Sequence, residues 1–496
     1  MQDTSRCESV ITRAPTTGVV ESTSAPPAAA SAVLHRQIHH EFPSIVRGEG
    51  SYLILDDGRR ILDASGGAAV ACIGHGDGRV ADSAMAQMRS AAYCATIFYT
   101  NTACEQLCRY LVDSTGGHMA RAYIVCSGSE AMEAALKLAR QYYLEKAEPE
   151  PRRTRFIARN QSYHGITLGA LAVGGHKTRR QLFEPLMPKN ISHVSPCFAY
   201  RGKTADESDA AYVARLADEL DAEFQRVGPD TVCAFVAEPV VGAALGSVPS
   251  VPGYFKAIQA VCRKYGALLI LDEVMCGMGR TGTLHAWQQE GIAPDIQTIG
   301  KCLGGGYQPI AGVLASHGVI DVLSKGTGPR HILTMFSAFV HGHTYQGHPV
   351  ACAAALAVQR IIAEEDLLAN VRTLAPVLSD LLAQRLGDHP NVGDIRGRGF
   401  FWGIEFVQDK AAARPFPAAD HVAMEIAELG VAAADYAVAV YPGSGTADGV
   451  SGDHIILSPP YNATRAEIHT IVDRVARLIE DYFATKKDAG LVDAKL

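Results

Sequence analysis

The feature that most constrains the fold is an alternation that sets in after residue 75. Short apolar runs recur at 122–126, 155–158, 232–237, 267–272, 296–299 and 310–315. Longer stretches with helical character lie between them, at 129–146, 211–226 and 253–265. Runs that are apolar throughout, rather than at every second residue, predict strands covered on both faces. Strands alternating with helices predict an α/β fold on a mostly parallel sheet. Such sheets bind ligands outside the carboxyl ends of their strands, so the polar residues just after each run are the first site candidates.

The flanks read differently. Residues 1–34 are rich in Ser, Thr, Ala and Pro and lack sustained periodicity, which predicts a flexible arm. Two short apolar segments flank Asp57-Gly58, a hairpin signal. Residues 350–386 are rich in Ala and Leu and predict one or two helices, and 391–484 predicts a smaller α+β lobe.

Composition excludes several classes. The 45 basic and 52 acidic residues leave a net charge of −7, which argues against a nucleic-acid partner. No apolar run is long enough to span a bilayer, so no membrane segment is expected. The 12 cysteines contain no CxxC pair and no secretory leader precedes them, which predicts reduced thiols and an intracellular protein. The chain ends Ala494-Lys495-Leu496, one conservative step from a Ser-Lys-Leu peroxisomal address, so cytoplasm and peroxisome both stand as expectations.

Five segments carry chemistry. Gly300-Lys301 follows the run at 296–299 and precedes Gly304-Gly305-Gly306. A P-loop reading fails there, because Asp295 stands where the first glycine belongs and Cys302 where Ser or Thr belongs. What remains is a lysine for Schiff-base chemistry, or a surface lysine beside a turn. Asp272 ends the apolar run 268–271 and needs a cationic partner if buried: a protonated ring nitrogen or a structural Arg or Lys. Ser127-Gly128-Ser129-Glu130 opens a helix, with Ser129 as the expected cap and an anion site as the additional reading. Tyr163-His164 offers a packed pair or a ring face for a flat cofactor. His341, His343 and His348 lie in a Gly-rich loop at spacings of two and five, without a neighbouring cysteine or acid in sequence, and no metal is expected there. A GxGxxG match at 277–282 lacks the long helix and downstream acid of a dinucleotide fingerprint.

Taken in order, these segments resemble the class III aminotransferases of the ω- and 4-aminobutyrate type. The resemblance rests on Ser-Gly-Ser-Glu at 127, Tyr-His-Gly at 163, Ala-Glu-Pro at 237, Leu-Asp-Glu-Val at 271, Gly300-Lys301 and Thr344, with Gly50-x-Tyr52 and Gly74-His75-Gly76 before them. It covers about 45–485. It implies fold type I, with pyridoxal 5′-phosphate (PLP) as cofactor. The expected domains are the arm at 1–34, small-domain segments at 35–74 and 346–485, a large PLP-binding domain at 75–345 and a tail at 486–496. The resemblance implies that Lys301 forms the Schiff base and that Asp272 partners the pyridine nitrogen. By the same likeness Val274 and Tyr163 cover the ring faces, Gly128 and Ser129 hold the phosphate, and Glu238 orients nearby groups. Thr344 reaches the phosphate of a neighbouring subunit, which implies a homodimer with shared sites.

The reaction implied moves an amino group from an amino acid or primary amine to a keto acid. Racemisation, epimerisation or decarboxylation on the same scaffold is the alternative. Two departures stand out. Val241 replaces a glutamine that many relatives carry after Glu-Pro. The stretch 441–454 has no arginine, where many ω-amine transaminases have one that swings to bind a carboxylate. Arg280, Arg396 and Arg398 are the expected substitutes.

Overall fold

The computed structural model describes residues 31–325 and 339–488. By contacts the chain falls into two units, Met1–Ser44 and Ile45–Leu496. In the first, the described residues 31–44 form bends and turns without a strand or helix.

The second unit is built on a seven-stranded sheet. Its order is Met119–Val125, Ala311–Ser316, Ile296–Ile299, Leu268–Glu273, Val232–Ala237, Arg155–Arg159, Ile191–Val194. Only Ala311–Ser316 runs against the others, pairing antiparallel with both its neighbours. The remaining pairs are parallel. Every residue of Val232–Ala237 and Leu268–Glu273 is buried, which is why these strands read as unbroken apolar runs. Helix Gly128–Glu145 packs on the sheet through Ala131, Ala134, Ala135, Leu138 and Ala139. Helices Asp209–Val227 and Tyr254–Lys264 pack through another cluster with Leu216, Leu220, Phe224, Phe255 and Ile258. The expected α/β fold with a mostly parallel sheet is the observed one.

Two four-stranded sheets and the two-stranded pair of Val240–Val241 with Val248–Pro249 complete the sheets described in this unit. Tyr52–Leu55 and Arg60–Asp63 form the expected hairpin, with Gly58 at φ +86° in its turn. Their sheet also holds Ile45–Glu49 and Val438–Ala439, the latter paired in parallel with Arg60–Asp63. The other sheet is antiparallel and runs Val392–Arg398, Phe401–Phe406, Asp453–Leu457, Tyr441–Ser444. Gly74-His75-Gly76 gains a reason here. A Cβ at Gly74 would lie 2.7 Å from the Gly50 carbonyl oxygen, and one at Gly76 would lie 2.7 Å from that of Gly48. The region 350–386 holds two helices, Pro349–Glu364 and Leu367–Leu386, separated by Asp366 at φ +47°.

The GxGxxG segment opens no long helix. Its residues form successive turns, with Arg280 N–H bonded to the Gly277 carbonyl and Gly282 N–H to that of Gly279. The next helix, Trp287–Glu290, has four residues. A Cβ at Gly279 would lie 2.7 Å from Leu368, so packing explains that glycine.

Candidate active site

Because all strands but one share a direction, their carboxyl ends meet at one edge of the sheet. Asp272 lies near the end of Leu268–Glu273, and Lys301 follows Ile296–Ile299. Glu238 follows Val232–Ala237, His164 lies beyond Arg155–Arg159, and Ser127 precedes helix Gly128–Glu145. A cavity of about 160 Å³ collects Gly128, Ser129, Tyr163, His164, Gly165, Glu238, Asp272, Val274, Met275 and Lys301. Seven of the eight residues singled out from the sequence are there. Thr344 does not line it; its side chain is exposed in the loop before Pro349. A larger groove of about 740 Å³ runs along Leu136, Arg140 and Leu144, and none of the eight lines it.

Asp272 is buried and tightly bonded. Its Oδ1 accepts from the Val274 N–H at 3.0 Å and the Thr298 hydroxyl at 3.1 Å. His164 Nδ1 lies 2.8 Å from its Oδ2. His164 is itself buried, and its Nε2 has no partner among the described residues. Sequence reasoning missed this contact. The two residues are 108 positions apart, and nothing local links them.

Lys301 opens a short 3₁₀ turn at φ +45°, a conformation non-glycine residues rarely adopt. Burial lowers the pKa of its amine, against the pull of Asp272 and Glu238 in the other direction. A neutral amine is the nucleophilic form. Glu238 accepts from the Tyr163 N–H at 3.1 Å and the Gly242 N–H at 3.0 Å, and burial pushes its carboxyl upward.

Val274 is seated between two glycines. A Cβ on Gly128 would lie 2.8 Å from Val274 Cγ1, and one on Gly300 would lie 3.2 Å from it. The cap of helix Gly128–Glu145 is Ser127, not Ser129. Ser127 Oγ accepts from Glu130 N–H, and Glu130 Oε2 accepts from Cys126 N–H. Ser129 stands one turn-position inside and accepts from Ile166 N–H at 3.0 Å.

The chain matches the family model for class III aminotransferases over residues 33–479. It belongs to that family. An aminotransferase of Gibberella zeae is 51% identical over 88% of this chain and 83% of its own length. An uncharacterized aminotransferase of Schizosaccharomyces pombe is 48% identical over 89% and 93%. The omega transaminase of Pseudomonas jessenii, solved in complex with PMP, aligns at TM-score 0.81 and 32% identity, over 90% of this chain and 94% of that one.

This aminotransferase is therefore a fold type I enzyme that uses PLP to transfer amino groups. The cavity lining suits that cofactor. It offers a half-buried lysine amine for an aldehyde, a buried carboxylate for a pyridinium, and a helix N-terminus for a phosphate. Gly128 leaves room for Val274, and a Cβ at Gly165 would meet Ser129 Oγ at 2.7 Å.

The three arginines expected to recognise carboxylates are committed elsewhere. Arg280 is fully buried, donates to the Phe400 and Pro459 carbonyls and stacks on Tyr461. Arg396 donates to the Gly246 and Leu245 carbonyls and pairs with Asp394 and Glu405. Arg398 pairs with Glu290 at 2.6 Å. None lines the cavity. Val241, where relatives carry glutamine, packs in an apolar cluster with Phe198, Leu245 and Val248.

The histidine loop has ordinary work. His348 caps Pro349–Glu364, and His341 Nδ1 lies 3.2 Å from Lys137 Nζ. His343 does approach Cys126 and Glu130, with ligand atoms within 4.8 Å of one another, a proximity hidden in the sequence spacing. The 11 described cysteines are free thiols. No helix of the described residues is long and apolar enough to cross a membrane. Ala494-Lys495-Leu496 lies outside the described residues.

Proposed function

We propose that Lys301 Nζ carries the proton transfers of this transaminase, between an amino acid or primary amine and a keto acid, with Asp272 as partner of the cofactor's ring nitrogen. The observation that carries this reading is that one small cavity holds both groups, Asp272 buried and Lys301 half-buried, at the carboxyl edge of the sheet. When bound, PLP supplies an aldehyde for an amine to condense with and a ring that withdraws electrons from the substrate carbon.

Lys301 Nζ, whose pKa burial lowers, would take the proton from the substrate carbon as base and give it back as acid. Its strained backbone aims it consistently. Asp272 would face the ring nitrogen of the cofactor as its hydrogen-bond partner. The Val274 N–H, the Thr298 hydroxyl and His164 fix its carboxylate plane. Gly128 and Ser129 hold the phosphate, where the helix dipole favours an anion. Val274 backs one ring face and Tyr163 covers the other. Glu238 positions Tyr163 through its N–H and orients groups beside the ring.

Thr344, exposed on its loop, serves the phosphate of a second subunit, so the enzyme works as a homodimer. Segments 75–345 act as the large domain and 35–74 with 346–485 as the small one. The enzyme acts on small molecules inside the cell, in cytosol or peroxisome.

The test is a half-reaction. Purified PLP-loaded protein is mixed with a panel of amino acids and amines without acceptor, and the visible band of the lysine-bound cofactor is followed. Loss of that band to the pyridoxamine form supports the reading and identifies the donor class. A stable band with solvent deuterium entering the substrate carbon would point to racemisation instead.

A further inference from the structure

A keto acid acceptor carries a carboxylate beside its reacting carbon. That anion needs a cation near the cavity, and Arg is the residue whose planar fork matches it. Lys301 is the one Lys or Arg in the lining, and it is committed to the chemistry. Arg280, Arg396 and Arg398 are committed to carbonyls and carboxylates of the fold itself.

Arg179 does not line the cavity either, but it differs in what holds it. Its guanidinium carbon lies 4.7 Å from the ring centroid of Tyr163, which lines the cavity. It is half-buried, and no carboxylate or carbonyl among the described residues accepts from it. Its neighbours are all engaged. Arg180 donates to the Ala172 and Gly174 carbonyls, and Lys177 to that of Asp448. Ring stacking holds the guanidinium by its face and leaves the edge N–H groups available.

The setting fits too. Lys177–Arg180 packs on the stretch 441–454, which lacks any arginine of its own. Lys177 bonds the Asp448 carbonyl, and Gln161 bonds those of Gly445 and Thr446 at 2.9 Å each. A Cβ on Gly449 would lie 2.7 Å from Lys177 Cδ, so the approach is close.

We infer that Arg179, seated on Tyr163, is the specificity-determining residue that binds the substrate carboxylate. This rests on the transamination reading above. The test uses holoenzyme with glyoxylate, pyruvate and 2-oxoglutarate as acceptors, and the amide of whichever acid reacts fastest. In the unsubstituted enzyme the acid should outrun its amide. Arg179→Gln should lower kcat/KM for the acid by about a hundredfold, mainly through KM, and leave the amide within about twofold. Arg179→Lys should recover part of the loss. The visible band of the loaded cofactor should be unchanged in both variants. Equal losses on acid and amide, or none on either, would overturn the inference, as would an unsubstituted enzyme indifferent to the charge. If the unsubstituted holoenzyme transfers to no keto acid, the transamination reading falls first and takes this one with it.

Discussion

The cavity and the segment behind its Tyr163 ring are built on different principles. On the sheet side, Asp272 and Glu238 hang from strand ends and each is bonded at both carboxylate oxygens. Such groups are held by the seven-stranded sheet and have no freedom to drift. Past the Tyr163 ring and outside the lining stand the segment 176–181 and the loop at 445–450, joined by the bond from Lys177 to the Asp448 carbonyl. Arg179 there rests on a ring and lacks a fixed acceptor. The difference separates what every turnover repeats from what the substrate decides. Preorganised polar groups serve a constant charge. A guanidinium held only by its face can meet carboxylates of different reach.

The largest expected effect breaks the sheet side outright. Lys301→Ala should fold, since its side chain lines the cavity and not the apolar core, and should lose at least about 10⁴-fold in turnover. Activity within tenfold of normal, by a coupled assay of the keto product, would remove Lys301 from the chemistry. Asp272→Asn should come next. The Val274 and Thr298 bonds to Oδ1 can persist in the amide, while the anion opposite the ring nitrogen is gone. PLP should still bind, and the half-reaction should slow by about a thousandfold in stopped-flow absorbance. An unchanged rate would show that the ring nitrogen is controlled from somewhere else.

That same contrast decided what could be read from the sequence. The run at 232–237 coincides with Val232–Ala237, and 267–272 lies one residue from Leu268–Glu273, because strands buried on both faces leave an unbroken apolar signature. Ile191–Val194 went unread. It is the edge strand, three of its four residues are half-buried, and its Ser192 and His193 break the run. The motifs after the strands led to the cavity because the sheet converts sequence order into a common edge. The cap was misplaced by two residues, since Ser127 and Ser129 are equivalent until backbone dihedrals choose between them. The contact of His164 with Asp272 depends on chain crossing and had no local trace. The arginines failed for a physical reason. Arg280, Arg396 and Arg398 satisfy buried carbonyls and acids, a role composition does not distinguish from ligand binding.

The smallest effect sharpens the comparison, because it asks how tightly the sheet side is packed. Val274 Cγ1 would lie 2.8 Å and Cγ2 3.2 Å from a Cβ at Gly128. Gly128→Ala should therefore displace Val274 or the first turn of the helix, at about 1–3 kcal/mol of overpacking. That strain should appear as a rise of about tenfold in the dissociation constant for PLP, measured by titrating the visible band. Val274→Ala alone should weaken binding too, by removing the surface behind the ring. In the double variant the added methyl occupies the space the two lost ones vacated, so the two losses should not add. Affinity in Gly128→Ala/Val274→Ala close to that of Val274→Ala alone would establish that the glycine exists to admit the valine. Strictly additive losses would mean that Gly128 serves the phosphate directly, through backbone approach, with the valine acting independently on the ring.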